Sequence, residues 1–235
     1  MEKFFLMVGI IMTLFSLTSA YDGLVVGPAN DYRADVVAYL TSLGYSVNTA
    51  TSFPSSVPNY DFVVNSGVVG SSQASTFLGY LNSGKGLLLQ GGDPYFLGMP
   101  SWIGMSTYTN EFGTNREIVA SYNYPLGAPG VLQGDLFYHR TTYMDGGAVL
   151  TNPTTATIDG NFTSGSGRAG CIHNSYGTGR LGWVSTFECP YDLGPDGYTT
   201  ADYASYLGAL YQWLDGNGFN PVEPISVGLI KSSYR

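Results

Sequence analysis

Two rhythms of apolar and polar positions divide the first hundred residues. Residues 23–27 (Gly23-Leu-Val-Val-Gly27) are short and continuously apolar, which predicts a buried strand. Residues 31–43 then place Val36, Val37, Leu40 and Leu43 at helical spacing, and Gly44 follows as a stop signal. Residues 45–49 alternate and predict a second strand, and residues 60–64 end fully apolar and predict a third. Ser71 or Ser72 stands where a helix running to about residue 82 would be capped, with Phe77, Leu78 and Leu81 inward and Ser83 and Gly84 ending it. Residues 86–90 predict a fourth strand. Continuously apolar strands between amphipathic helices, in the order β-α-β-β-α-β, predict a parallel sheet covered on both faces. Right-handed crossovers bring the loops after the first, third and fourth strands to one carboxyl edge, where ligands of such sheets bind.

The rhythm then fades. Residues 95–134 are rich in Gly, Pro, Tyr and Asn without a clean period and are expected to form a long excursion with little regular structure. Short strands are expected at 147–151 and 156–158. A β-hairpin is expected from 168–176 and 180–187 around Gly177-Thr178-Gly179. A last helix is expected over 198–214, with Tyr203, Tyr206, Leu207, Leu210 and Leu214 facing in and residues 215–218 ending it. Residues 219–235, with Pro221 and Pro224, read as a linker and tail outside the domain.

The N-terminus changes the setting. Met1-Glu2-Lys3, an apolar run over 4–17 and Thr18-Ser19-Ala20 have the layout of a signal peptide cleaved after Ala20. The apolar run falls short of the about 20 residues a membrane span needs. Secretion, or a periplasmic or cell-surface location, is the expectation. Residues 21–218 then form one domain, a size one core can serve. The net charge of −8 and the absence of a basic stripe argue against nucleic acid and anionic lipid as partners. Only 11% of residues are charged, whereas Gly numbers 32 and Tyr 19, so the surface is one of hydroxyls, amides and rings.

Three stretches stand out together: Tyr60-Asp-Phe-Val-Val-Asn65, Tyr80-Leu-Asn-Ser-Gly-Lys-Gly-Leu-Leu-Leu-Gln-Gly-Gly92, and Tyr176-Gly-Thr-Gly-Arg-Leu-Gly-Trp-Val184 followed by a helix ending in Trp213-Leu214. On these the chain resembles the class I glutamine amidotransferase-like superfamily. The resemblance implies a flavodoxin-like three-layer α/β sandwich with a mostly parallel central sheet and an antiparallel β-hairpin extension. Catalytic members carry a cysteine on a strand-to-helix elbow and a histidine before the last helix. Here no cysteine precedes Cys171, and the stretch equivalent to the histidine reads Ser185-Thr-Phe-Glu-Cys-Pro190. The resemblance therefore implies a non-catalytic or repurposed member.

The candidate chemistry concentrates at the carboxyl edge. In Gln90-Gly-Gly-Asp-Pro-Tyr-Phe96, Gly91 and Gly92 allow close backbone approach, Asp93 offers an acceptor, and Tyr95 and Phe96 offer stacking faces. Asn30, Asn65 and Glu188 are expected on the same rim, a set suited to a glycan or peptide; the alternative is a plain turn with a helix cap. Glu188, Asp192 and Asp196 lie close in sequence but match no calcium-loop pattern, so no metal and no cofactor are expected. His139 falls in irregular chain and His173 in an apparent strand, where a packed histidine is the plainer reading. Cys171 and Cys189 are an even pair in an exported chain, which favours a disulfide. Against that, a hairpin centred on Gly177 and Thr178 pairs Cys171 with Val184 and leaves Cys189 roughly 16 Å further along, beyond the ~7 Å such a bond spans. Asn161-Phe-Thr163 is an N-glycosylation sequon in an apparent polar loop. Three functions follow as expectations: a non-catalytic module binding a glycan, peptide or envelope protein; a hydrolase using rim carboxylates; and a self-assembling extracellular structural protein.

Overall fold

The computed structural model describes residues 22–55, 59–67, 69–113, 116–140, 144–163, 167–186, 188–190 and 197–216. Residues 1–20 and 219–235, expected as a signal peptide and as a linker with a tail, lie outside these residues, as do Asp192 and Asp196.

The opening elements form as their apolar spacing dictates. Strand β1 (Gly23–Val26) is buried at every position. Helix α1 (Asp31–Ser42) starts at Asn30, whose side chain accepts from the Arg33 N–H at 3.0 Å, with Asp31 in its first turn complementing the helix dipole. It ends before Gly44 at φ +92°. Strands β2 (Val47–Ala50) and β3 (Phe62–Asn65) follow, then a 3-10 turn at Ser71–Gln73 leading into α2 (Ala74–Asn82). Neither Ser71 nor Ser72 caps this helix. The Gln73 Oε1 accepts from the Gly70 N–H at 2.8 Å instead, because the longer side chain reaches back across the 3-10 turn.

Strand β4 (Gly86–Gln90) and the four-residue α3 (Asp93–Phe96) complete the first half. The excursion expected to hold little regular structure over 95–134 contains two strands among turns and short helical pieces. It holds β5 (Met105–Gly113), β6 (Arg116–Ala120) and, just beyond, β7 (Leu136–Arg140). His139 thus sits in a ladder opposite Glu117, with its Nδ1 3.0 Å from Glu117 Oε1. Strands β8 (Met144–Pro153), β9 (Thr157–Phe162), β10 (Ala169–Tyr176) and β11 (Gly179–Val184) follow, then β12 (Gly197–Thr199) and α4 (Ala201–Asp215). Tyr198 belongs to β12 rather than to the last helix, which begins after Thr200, whose Oγ1 accepts from the Tyr203 N–H.

All these strands join one mixed sheet in the order β12-β7-β6-β9-β10-β11-β4-β3-β1-β2, with β5 and β8 paired as a side arm that reaches β10. From β2 to β11 the strands run parallel, giving the flavodoxin-like order β2-β1-β3-β4 followed by β11. From β10 to β12 they pair antiparallel. The antiparallel extension therefore continues well beyond the β10–β11 hairpin, whose register does pair Cys171 with Val184.

Helices α1 and α4 cover one face around Val25, Val64, Leu207 and Leu210, and the Tyr39 hydroxyl ties them by donating to Ala204 O at 2.8 Å. Helix α2, with Phe77, Tyr80 and Leu81, covers the other face alongside Trp102, Ile103 and Leu150. Two glycines let the helix ends seat directly on the strands. A methyl group at Gly86 would overlap the Leu214 carbonyl oxygen of α4, and one at Gly179 would overlap the Leu81 carbonyl oxygen of α2. Cys171 and Cys189 are both buried and are not joined by a disulfide.

Candidate functional site

The flavodoxin-like strand order reverses between β1 and β3, the usual place for a ligand crevice. Here two glycine backbones close it: a Cβ on Gly67 would stand 3.0 Å from Gly27 Cα. The chemistry lies one step along the edge, over β3, β4 and β11.

Asn65 ends β3, and its amide donates to Asp93 Oδ2 at 2.9 Å and to Gly67 O at 2.8 Å. The Gln90 backbone N–H, at the end of β4, donates to the same Asp93 oxygen at 3.0 Å. Asp93 is only 5% exposed, and burial pushes its carboxyl up to about 7 although both hydrogen bonds pull the other way. The Gln90 side chain turns to the opposite side. With its amide nitrogen toward Glu188 it donates to Oε2 at 2.9 Å and Oε1 at 3.1 Å. Glu188 is fully buried, which drives its carboxyl well above the usual range. Its backbone is held at both ends, since the N–H donates to the Tyr32 hydroxyl at 3.0 Å and the carbonyl accepts from the Tyr211 hydroxyl at 2.8 Å.

Asn65, Asp93, Gln90, Glu188 and Tyr32 therefore form one continuous chain of hydrogen bonds across the edge. Asn30, expected on the same rim, serves as the exposed cap of α1. Tyr32 and Tyr211 escaped the sequence reading. Tyr32 had a readable signal, because it lies in the first turn of α1 and that turn starts at the carboxyl edge. Tyr211 had none, because it reads as one more core residue of α4.

The turn from β4 into α3 passes through Gly91 at φ +44°, a conformation open to glycine, and the Trp183 indole N–H donates to Gly91 O at 3.0 Å. This is a sharp strand-to-helix turn with no side chain at its apex. A Cβ on Gly92 would press on the Phe96 ring at 2.9 Å. Beyond it, Asp93, Pro94 and Leu97 are buried, while Tyr95 and Phe96 point outward at 60% and 52% exposure. Tyr95 stacks on Tyr108 of β5 with ring centroids 5.1 Å apart and an interplanar angle of 27°.

A second polar cluster, unforeseen from the sequence, lies on the α4 face. The β9–β10 pairing carries a bulge: Cys171 opposes Gly160 and Ile172 opposes Ile158, so Asp159 is the extra residue and its side chain is re-aimed. Its buried carboxylate lies 2.9 Å from His173 Nδ1 through both oxygens and accepts from the hydroxyls of Tyr122 at 2.7 Å and Tyr206 at 3.0 Å. The His173 ring meets Trp213 edge-on at 5.2 Å. Asn161 lies on β9 rather than in a loop, and its amide nitrogen is engaged with Ser121 Oγ at 2.7 Å. No group of three or more His, Cys, Asp or Glu that could hold a metal occurs among the described residues, and no helix among them is long and apolar enough to cross a membrane.

No protein-family model matches the chain, and no curated protein matches it in sequence. Its fold does match solved structures. A ThuA-like protein from Parabacteroides merdae is 14% identical with a TM-score of 0.54, over 88% of this chain and 94% of that one. PurLQS from Thermotoga maritima is 9% identical with a TM-score of 0.57, over 83% and 100%. The β-galactosidase from Bacillus circulans sp. alkalophilus is 14% identical with a TM-score of 0.58, over 91% of this chain and 33% of that one. The fold is a flavodoxin-like α/β one with an antiparallel extension. At these identities the likeness extends to the fold alone.

Proposed function

We propose that the chain is a secreted, non-catalytic amidotransferase-like module that binds a glycan, peptide or envelope protein at the cell surface or outside the cell. One observation carries this reading. The carboxyls of the ligand edge turn inward: Glu188 is engaged by Gln90, Asp93 is engaged by Asn65 and the Gln90 N–H, and neither faces solvent. Two features support it. The strand-to-helix turn holds Gly91 where the resemblance would put a nucleophile, and the stretch that would supply the histidine supplies Glu188. A thiolate route to amide transfer has neither of its partners there.

The test is an ammonia-release assay on the purified chain with glutamine, together with a hydrolysis screen over soluble glycans and peptides. The expected result is no turnover above the buffer. Turnover lost in both Asp93→Asn and Glu188→Gln would establish the hydrolase instead. Export is tested by mass spectrometry of the protein recovered outside the producing cell, with a mature chain beginning at Tyr21 as the expected outcome.

A further inference from the structure

The connection from β6 to β7, residues 121–135, is closed at its neck and strained at its tip. At the neck, the Gly134 N–H donates to Ala120 O at 2.9 Å, the Ala120 N–H to Asp135 O at 2.9 Å and the Ser121 N–H to Asp159 O at 2.8 Å. Inside the loop, the Gln133 N–H donates to Asn123 Oδ1 at 2.9 Å and the Tyr124 N–H to Val131 O at 2.8 Å. Pro125, Ala128 and Val131 are buried. A surface loop whose ends meet and whose own residues fill it can open as one piece. At its tip, Tyr124 takes φ +55° and ψ +55°, and Leu126 takes φ +53° and ψ +21°. Both conformations are left-handed, and a residue with a Cβ holds them only where its surroundings impose them.

The Tyr122 hydroxyl holds that turn. It accepts from the Leu126 N–H, which closes a ring around Tyr124, and it donates to Asp159 Oδ1 at 2.7 Å. One side chain thus braces the strained turn from inside and fastens it to a fully buried carboxylate. The fastening point is itself fixed, by His173 Nδ1 at 2.9 Å and by the Tyr206 hydroxyl at 3.0 Å. The bond from Ser205 Oγ to Pro129 O at 2.8 Å, by contrast, lies on the surface, where water competes for it. We propose that residues 121–135 form a strap latched shut by the Tyr122 hydroxyl on Asp159, and that release of this latch opens the strap while the sheet stays folded. Opening relaxes Tyr124 and Leu126, turns Pro125, Ala128 and Val131 out, and takes one donor from Asp159 Oδ1 beside His173. The strap belongs to the antiparallel half and does not depend on the binding-module reading.

The test is residue-resolved amide hydrogen exchange of the purified chain, read at the Gly127 and Ala128 amides, which donate to Tyr124 O and Pro125 O within the turn. In the unaltered chain these amides are expected to exchange through an opening that low urea does not accelerate, whereas those of β10 and β11 follow urea as global unfolding does. Tyr122→Phe keeps the ring and removes the hydroxyl, and is expected to speed the strap amides about tenfold, the factor one lost hydrogen bond carries. Adding Tyr124→Gly is expected to slow them again, because glycine takes the left-handed turn without penalty and the Tyr124 ring is half exposed. Tyr206→Phe takes a hydroxyl from the same carboxylate without touching the strap. It is expected to leave the strap amides unchanged although it speeds those of β10 and β11. The proposal is overturned by strap amides that keep their rate in Tyr122→Phe, by an equal acceleration in Tyr206→Phe, or by no slowing from Tyr124→Gly. A shared urea dependence of strap and sheet in the unaltered chain also overturns it, and that measurement stands whether or not the variants fold.

Discussion

Two buried acid clusters sit in the two halves of the sheet and are held in opposite ways. At the carboxyl edge of the parallel half, the Asp93 and Glu188 carboxyls face side-chain amides and a backbone N–H, and burial drives both carboxyls upward. In the antiparallel half, Asp159 is equally buried but meets a histidine and two tyrosine hydroxyls. Each buried carboxyl is compensated by the hydrogen bonds that its own surroundings supply. The edge acids thereby become part of the scaffold beneath an exposed aromatic surface, whereas the Asp159 cluster ties α4 and the loop at Tyr122 to the antiparallel strands.

The sharpest way to break this contrast is Asp159→Ala. It strips His173, Tyr122 and Tyr206 of their shared acceptor at once, and the expected loss is about 3–5 kcal/mol, read from urea unfolding midpoints at pH 7. The pH dependence comes next. A carboxyl whose folded pKa is raised holds its proton longer in the folded state than in the unfolded one. Between about pH 4 and about pH 7 the folded chain binds more protons, so Asp93 makes stability fall as pH rises through that window and level off above it. At roughly 1.4 kcal/mol per unit the fall amounts to a few kcal/mol. Asp93→Asn is expected to flatten the slope, and Glu188→Gln to raise stability at the alkaline end. Gly86→Ala pushes a methyl group into the Leu214 carbonyl and should cost about 1–3 kcal/mol, measured by thermal melting. The smallest effect is Tyr206→Phe, which removes one of the bonds to Asp159 and should cost about 1 kcal/mol.

The elements that could be read from the sequence are those with a single dominant period. Strands β1, β3 and β4 are buried on both faces and read as short apolar runs, and α4 buries Tyr203, Tyr206, Leu207, Leu210 and Leu214 as its spacing requires. Strand β5 could not be read this way, because Met105-Ser-Thr-Tyr-Thr109 mixes a buried start with exposed hydroxyl residues in a side arm and shows no alternation of apolar positions. The rim was legible at Asp93, Asn65 and the two rings, which follow parallel strands directly. Its link from Gln90 to Glu188 was not, because it joins residues 98 positions apart through an amide that reads as an ordinary strand end. The Asp159 cluster was hidden by its bulge, since regular alternation does not register an extra residue in a ladder.

Carbon-13 NMR of the side-chain carboxyls, followed from acid to mildly alkaline pH in the folded chain, addresses most directly whether the edge acids are withdrawn from solvent. Asp93 is expected to titrate near 7, and Glu188 well above the ordinary glutamate range. Titration of both close to 4 would mean that they face water as ordinary carboxylates, and an edge built for binding rather than for acid chemistry would no longer be tenable.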